Sequence, residues 1–211
     1  MSRPSRFLLW LHRSIPLFQL KDFGEFSVWG FGEHIALDAS LAILAALHEL
    51  DVEEIRANLK KFIGIKKRFD ILQKDSKFAL IDDYGHHPTE VRATLQAFRE
   101  KFPTQRLVVY FQPHRYSRTQ HCWQDFKSCF LQSDVLFMAD IYPAGETAIP
   151  GITSEKLLEE MKHENSFHTV KSGQQIKVIS ESLKSGDVFI TLGAGDGWKL
   201  GLDVLSYISK R

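Results

Sequence analysis

The apolar residues of this chain change their spacing near position 66. Over residues 33–50, Ala, Leu and Ile recur on nearly every side of a helical wheel, which predicts a helix buried on most sides. Ahead of it, residues 18–23 and 26–29, with Gly24-Glu25 between them, read as a short β-hairpin. Behind it, Asp51 is placed to cap a second helix, with Glu54 three residues on as the partner of a capping box. Gly64 is placed to close that helix.

Beyond Lys66-Lys67-Arg68 the pattern alternates. Short apolar runs at 78–83, 106–112, 134–140, 167–170 and 187–191 read as strands. Helical stripes separate them: Val91, Leu95 and Phe98; then Cys122, Trp123, Phe126, Cys129 and Phe130; then Leu157, Leu158 and Met161; then Ile176, Ile179 and Leu183. Trp198, Leu202, Leu205 and Ile208 stripe the last helix. Strands alternating with helices predict βαβ crossovers, hence an α/β fold with a Rossmann-like, mostly parallel sheet and helices on both faces. Residues 66–211 are long enough for a complete domain of this kind. Residues 1–65 are too few for one and read as the tail of another.

Composition narrows the classes of partner. A net charge of +1 gives no electrostatic case for nucleic acid or an acidic membrane. The apolar run Phe7-Leu8-Leu9-Trp10-Leu11 is too short for a usual signal-peptide core or a membrane span. Cys122 and Cys129 stand seven apart on one predicted helix face, too distant to bridge, so they read as reduced core thiols in a cytoplasmic protein.

The chemistry gathers at three predicted strand ends. Ile81-Asp-Asp-Tyr-Gly-His-His-Pro-Thr-Glu90 packs two carboxylates, a phenol and two imidazoles into six positions between a strand and a helix start. In open α/β sheets that edge is where ligands bind. Phe111-Gln-Pro-His-Arg-Tyr-Ser-Arg-Thr119 follows the next strand. Its Arg115 and Arg118 are three apart, so one helical turn aims both guanidiniums the same way, as a carboxylate or phosphate requires. Thr191-Leu-Gly-Ala-Gly-Asp-Gly197 is either an anion-binding turn or a tight packing turn. The loop 142–153, rich in Gly and Pro, also lies at a strand's carboxyl end and is placed to border the site. His86, His87 and His114 with Asp82 and Asp83 leave open a metal-dependent hydrolase binding Zn²⁺ or Mn²⁺. No G-x-x-x-x-G-K-[ST] occurs among the 211 residues.

Taken together, Arg68-Phe69, Asp82 to Val91, Phe111 to Thr119, Asp140-Ile-Tyr-Pro-Ala-Gly-Glu146 and Gly193-Ala-Gly-Asp196 resemble the Mur ligases, in particular those joining L-alanine to UDP-N-acetylmuramate. The resemblance runs from Gly32 onward. It implies the C-terminal α/β domain of such an enzyme over residues 66–211, preceded by a remnant of the central ATPase domain over 1–65. It further implies ATP and Mg²⁺ as cofactors, peptidoglycan synthesis as the process, and an acyl phosphate attacked by the amine of L-alanine. Arg115 and Arg118 would hold the alanine carboxylate, with Tyr84 and His86 lining its pocket. Asp83 would hold the ATP ribose, and Arg68 and His34 would lie against the nucleotide. The P-loop and the metal-binding acid of the family are missing here, so a separate chain carrying them is an implied partner, and the chain alone would not ligate. A non-catalytic amino-acid or nucleotide-binding module is the other outcome. Gly32-Glu-His-Ile-Ala-Leu-Asp38 departs from the family's Gly-x-His-Asn-x-x-Asn: Ile35 and Asp38 replace two amides that contact adenine.

Overall fold

The computed structural model describes residues 17–30, 32–74, 78–161, 163–170 and 173–210. Six strands form the main sheet: β3 (Asp70–Lys74), β4 (Ala79–Asp83), β5 (Leu107–Phe111), β6 (Val135–Ala139), β7 (Ser166–Thr169) and β8 (Val188–Leu192), in the order β3-β4-β8-β5-β6-β7. All neighbours are parallel except β3, which runs antiparallel to β4. Every residue of β4, β5, β6 and β8 is buried, as continuous apolar runs covered on both faces must be. The pleat then sorts them. Ala79, Ile81, Leu107, Val109 and Phe111 face one core, shared with α3 (Pro88–Lys101), α5 (Trp123–Phe126) and α6 (Ser154–Glu160). Leu80, Val108, Tyr110 and Phe189 face the other, shared with α7 (Gly173–Ser182) and α8 (Gly197–Ser209). Helices therefore cover both faces of a mostly parallel sheet, as the alternation of strands and helices predicts.

Several local expectations are corrected. β3 has no counterpart among the predicted strands, because it is an edge strand with partly buried residues and a register shift between Ile71 and Gln73. The stripe from Cys122 to Phe130 is not one helix: α4 (Tyr116–His121) and α5 are separate, although Cys122, Phe126, Cys129 and Phe130 still reach the same core. Both thiols are buried and free. The buried face of α8 is Gly201, Val204 and Leu205, while Leu202 is exposed. Gly201 sets that phase, since a Cβ there would press on Leu80 and Thr191.

The leading segment forms its own small unit. β1 (Leu17–Leu20) and β2 (Gly24–Ser27) pair antiparallel, and the turn falls at 21–23 rather than at Gly24-Glu25, because Asp22 takes the positive φ and Gly24 already pairs with Leu20. α1 (Glu33–Ala46) and α2 (Val52–Leu59) pack on the hairpin around Phe26, Ile43 and Ile55. Asp51 caps α2 by accepting the Glu53 N–H. Gly64 does not close α2, which ends on Lys60; its positive φ and lack of Cβ instead admit the Trp29 ring. α1 is not buried on most sides. Only Ala39 and Ile43 are buried, and Leu37, Leu41 and Leu44 stay exposed, because the hairpin and α2 cover a single side. The run from Phe7 to Leu11 lies outside the described residues. Among them, no helix is long and apolar enough to cross a membrane.

Candidate functional site

Three adjacent strands end level with one another: Asp83 of β4 pairs with Leu192 of β8, and Leu192 with Phe111 of β5. The loops that leave these ends are therefore neighbours in space.

The loop after β4 is held by its own carboxylates. Asp82 is buried and accepts the Thr191 hydroxyl at 2.6 Å. Burial pushes its carboxyl up to about 6, against that hydrogen bond and with the Asp83 charge adding to the rise. A raised acid stabilises the fold while protonated, so its contribution is complete below about pH 4 and is lost as pH rises through about 6. Asp82→Asn should therefore be more stable than the parent at pH 8, on the order of 2 kcal/mol, with no gain at pH 3. Denaturant midpoints at the two pH values check this, and an equal effect at both would sink it.

Each oxygen of Asp83 holds a backbone N–H. Its Oδ2 accepts the Phe69 N–H at 3.0 Å and its Oδ1 the Gly85 N–H at 2.8 Å, while burial pushes its carboxyl above the usual range. The first bond fastens a turn in which Lys67 and Phe69 both take positive φ, a conformation side chains rarely adopt. Arg68, between them, projects 5.8 Å over the Tyr84 ring and 3.7 Å from Glu90. The Tyr84 N–H donates to the Lys67 carbonyl at 2.7 Å.

His86 and His87 have different tasks. His87 is the N-cap of α3: its Nδ1 accepts the Thr89 N–H, Glu90 completes the capping box, and Nε2 faces Cys122 Sγ at 3.5 Å. His86 Nδ1 lies 3.0 Å from the Tyr84 carbonyl. A carbonyl only accepts, so Nδ1 carries the proton and the neutral ring keeps its lone pair on Nε2. The Glu90 carboxylate accepts the backbone N–H of both histidines. Burial opposes its ionisation, but those two bonds prevail and hold it below the ordinary carboxylate range.

The loop after β5 brings the guanidiniums. Arg115 sits at positive φ (73°) ahead of α4, fixed by its N–H to the Tyr142 carbonyl at 2.8 Å. Glu146 accepts both the N–H and the hydroxyl of Ser117, tying the 142–153 loop to the first turn of α4. Arg118 donates from Nη1 to both the carbonyl and Nδ1 of His114, each at 3.2 Å. The His114 ring lies flat on Tyr142 at 5.5 Å and edge-on to His86 at 5.9 Å, and His86 meets Tyr84 at 5.2 Å. Tyr84, His86, His114 and Tyr142 thus form one run of ring contacts with Arg118 bonded to it, and the Arg115 charge acts on His114 and Glu146 beside it. Among the described residues, the Arg115 side chain has no hydrogen-bond or ion-pair partner, nor does Arg118 beyond His114.

His34, Arg68 and Asp83 gather on the other side of this loop, in a cleft of about 820 Å³ between α1, α2 and α3. Ile35, Asp38, Phe69 and Glu90 line it too. The volume and Arg68 suit a nucleoside, while Ile35 offers no hydrogen bond and Asp83 has both oxygens already bonded to backbone. The glycine-rich turn is a packing turn: a Cβ on Gly193 or Gly195 would strike Gln112, and the Gly193 N–H donates to the Asp83 carbonyl.

The histidines and paired aspartates do not converge as metal ligands. Asp82 serves Thr191, Asp83 the backbone, His87 its helix and His114 an arginine. Among the described residues, the one His/Asp/Glu group within coordinating reach is Asp140, Glu155 and His168, none of which lines the cleft. The hydrolase reading therefore loses its ligand set. Three residues the sequence placed without a site role have one here, Tyr142, Glu146 and Glu90, while His114, read there as a candidate metal ligand, instead accepts from Arg118. Tyr142 and Glu146 lie in the loop expected to border the site, which was the available signal.

A mostly parallel α/β sheet whose neighbouring strand ends carry guanidinium and imidazole groups beside a cleft of about 820 Å³ describes a ligand-binding α/β module. Residues 67–195 match the family model for the Mur ligase, glutamate ligase domain, and the chain belongs to the Mur ligase family. Within it, the chain is 52% identical over 200 residues to the UDP-N-acetylmuramate–L-alanine ligase of Bdellovibrio bacteriovorus, covering 94% of this chain and 44% of that protein. It is 46% identical over 187 residues to that of Campylobacter jejuni, covering 85% and 42%. The crystal structure of UDP-N-acetylmuramate–alanine ligase from Thermotoga maritima superposes with a TM-score of 0.69 at 25% identity, over 89% of this chain and 40% of that one. The chain spans less than half the length of the curated relatives it matches.

Proposed function

We propose that this chain supplies the L-alanine pocket and part of the nucleotide pocket of an ATP-dependent, ADP-forming UDP-N-acetylmuramate–L-alanine ligase of peptidoglycan synthesis. The observation that carries the reading is Arg118 held on His114, whose ring meets His86 and through it Tyr84, with Arg115 near enough to His114 for its charge to act there. Residues 66–211 form the amino-acid-binding unit, and residues 1–65 belong to the central nucleotide-binding unit.

In this reading the alanine carboxylate lies on the two arginines, which fixes one end of a small zwitterion. The Nε2 lone pair of His86 offers its ammonium an acceptor, and the Tyr84 ring covers the methyl group. With three points held, the amine is aimed in one direction, which is catalysis by positioning. His34, Arg68 and the rim at Glu90 would hold the nucleoside of ATP, whose bound phosphates supply the group that activates the UDP-N-acetylmuramate carboxylate. Among the described residues, the carboxylates of the cleft do not come together as a ligand set, so in this reading Mg²⁺ and the phosphates are held by other residues of the central unit, on the same polypeptide or a separate chain.

The reading is tested by calorimetry with L-alanine and by ADP release. The chain should bind L-alanine, and Arg115→Ala should abolish the heat. With UDP-N-acetylmuramate, L-alanine and Mg-ATP, this 211-residue chain alone should release no ADP. Turnover by it alone, or L-alanine binding that ignores Arg115→Ala, would overturn the assignment.

A further inference from the structure

Arginine carries no acceptor, so the contact between Arg118 Nη1 and His114 Nδ1 has only one possible polarity. The nitrogen at Nδ1 must present its lone pair, and a neutral ring then keeps its proton on Nε2. Nη1 has two hydrogens, and its two contacts, to Nδ1 and to the His114 carbonyl, account for both. What remains of the guanidinium is the Nε–Nη2 edge, a two-donor fork of the width a carboxylate matches. The ring itself is held from both sides, by Tyr142 stacked at 16° and by His86 edge-on.

We propose that His114 is the positioning residue for Arg118, capturing both Nη1 hydrogens so that the Nε–Nη2 edge is presented to the carboxylate of an α-amino acid. The inference rests on the amino-acid reading of this pocket. It makes the clamp depend on the charge of His114. A protonated ring loses the acceptor at Nδ1 and sets a positive charge against Arg118. The groups that face His114 are Arg118 from α4, Arg115 just ahead of it, His86 from the loop after β4, and Tyr142 and Glu146 from the loop after β6. Burial, Arg118, His86 and Arg115 all push its pKa below the usual imidazole range, and only Glu146 opposes them. The clamp is therefore set at neutral pH and is released as pH falls through that lowered value.

Two measurements on the full chain decide the matter. Long-range ¹H–¹⁵N spectra of the imidazoles should show His114 as the Nε2–H tautomer, titrating below an exposed histidine, with the midpoint moving up in Arg118→Ala. Calorimetry should show L-alanine affinity falling about tenfold in His114→Ala, the scale of one lost hydrogen bond to a charged group. His114→Asn, whose Oδ1 can stand where Nδ1 stood, should stay within about threefold of the parent and lose the acid dependence. An Nδ1–H tautomer, a titration indifferent to Arg118, or His114→Ala binding like the parent would each overturn the proposal. If the parent binds no L-alanine while the tautomer and its coupling to Arg118 hold, the ligand assignment fails and the positioning stands.

Discussion

Arg118→Ala is expected to lower L-alanine affinity on the order of 100-fold, about 3 kcal/mol, in calorimetric titration at pH 7.5. The size follows from the count of donors. Two charge-assisted hydrogen bonds from the Nε–Nη2 edge disappear, each worth about 1.5–3 kcal/mol, partly offset by water reaching the carboxylate. His114 gains nothing in exchange, since its Nδ1 and carbonyl lose the partner they share. Arg118→Lys should recover less than a tenth of the lost affinity, because an ammonium cannot serve His114 with two hydrogens and still offer a planar fork. Circular dichroism should show both variants folded, as the Arg118 side chain is only half buried and takes no part in the core. An Arg118→Lys variant that binds like the parent would show that charge alone, not geometry, holds the ligand.

What the sequence made legible divides along a physical line. β4, β5, β6 and β8 were readable because a strand covered on both faces must be apolar throughout. β3 was not, because an edge strand with mixed residues has no periodic signature. α1 carries an all-round apolar composition, yet burial is set by what packs on it, and the hairpin and α2 reach one side only. The site's location was readable from the clustering of titratable groups at neighbouring strand ends. Which of them stay open to a ligand was not. Asp83 is tied to an N–H fourteen residues away, and His87 to a helix end, bonds that exist only once the chain has folded. Ile35 and Asp38 do line the cleft, so the departure seen in the sequence falls on its wall.

Phe98→Ala is expected to be the most damaging single core change, costing about 3–5 kcal/mol of stability and lowering Tm by roughly 10 °C. Phe98 is fully buried in α3, stacked on Phe69 with ring centroids 4.1 Å apart and on Phe102 at 6.2 Å. Removing it leaves a cavity beneath the turn of Lys67 to Phe69, whose positive φ angles hold only because the surroundings fix them. Phe69 is the residue whose N–H the buried Asp83 carboxylate accepts, and Arg68 is carried on the same turn. The cavity should therefore cost more than packing energy: the turn relaxes, Asp83 loses a donor, and Arg68 leaves the cleft. Phe98→Leu, which keeps most of the apolar volume, should cost about 1–1.5 kcal/mol and leave the turn in place. Hydrogen exchange at the Phe69 amide separates packing from site. In Phe98→Ala its protection should fall by more than that of the β5 amides, which report global unfolding. Equal loss at both places would mean that Phe98 supports the fold as a whole and has no particular hold on the turn beside the site.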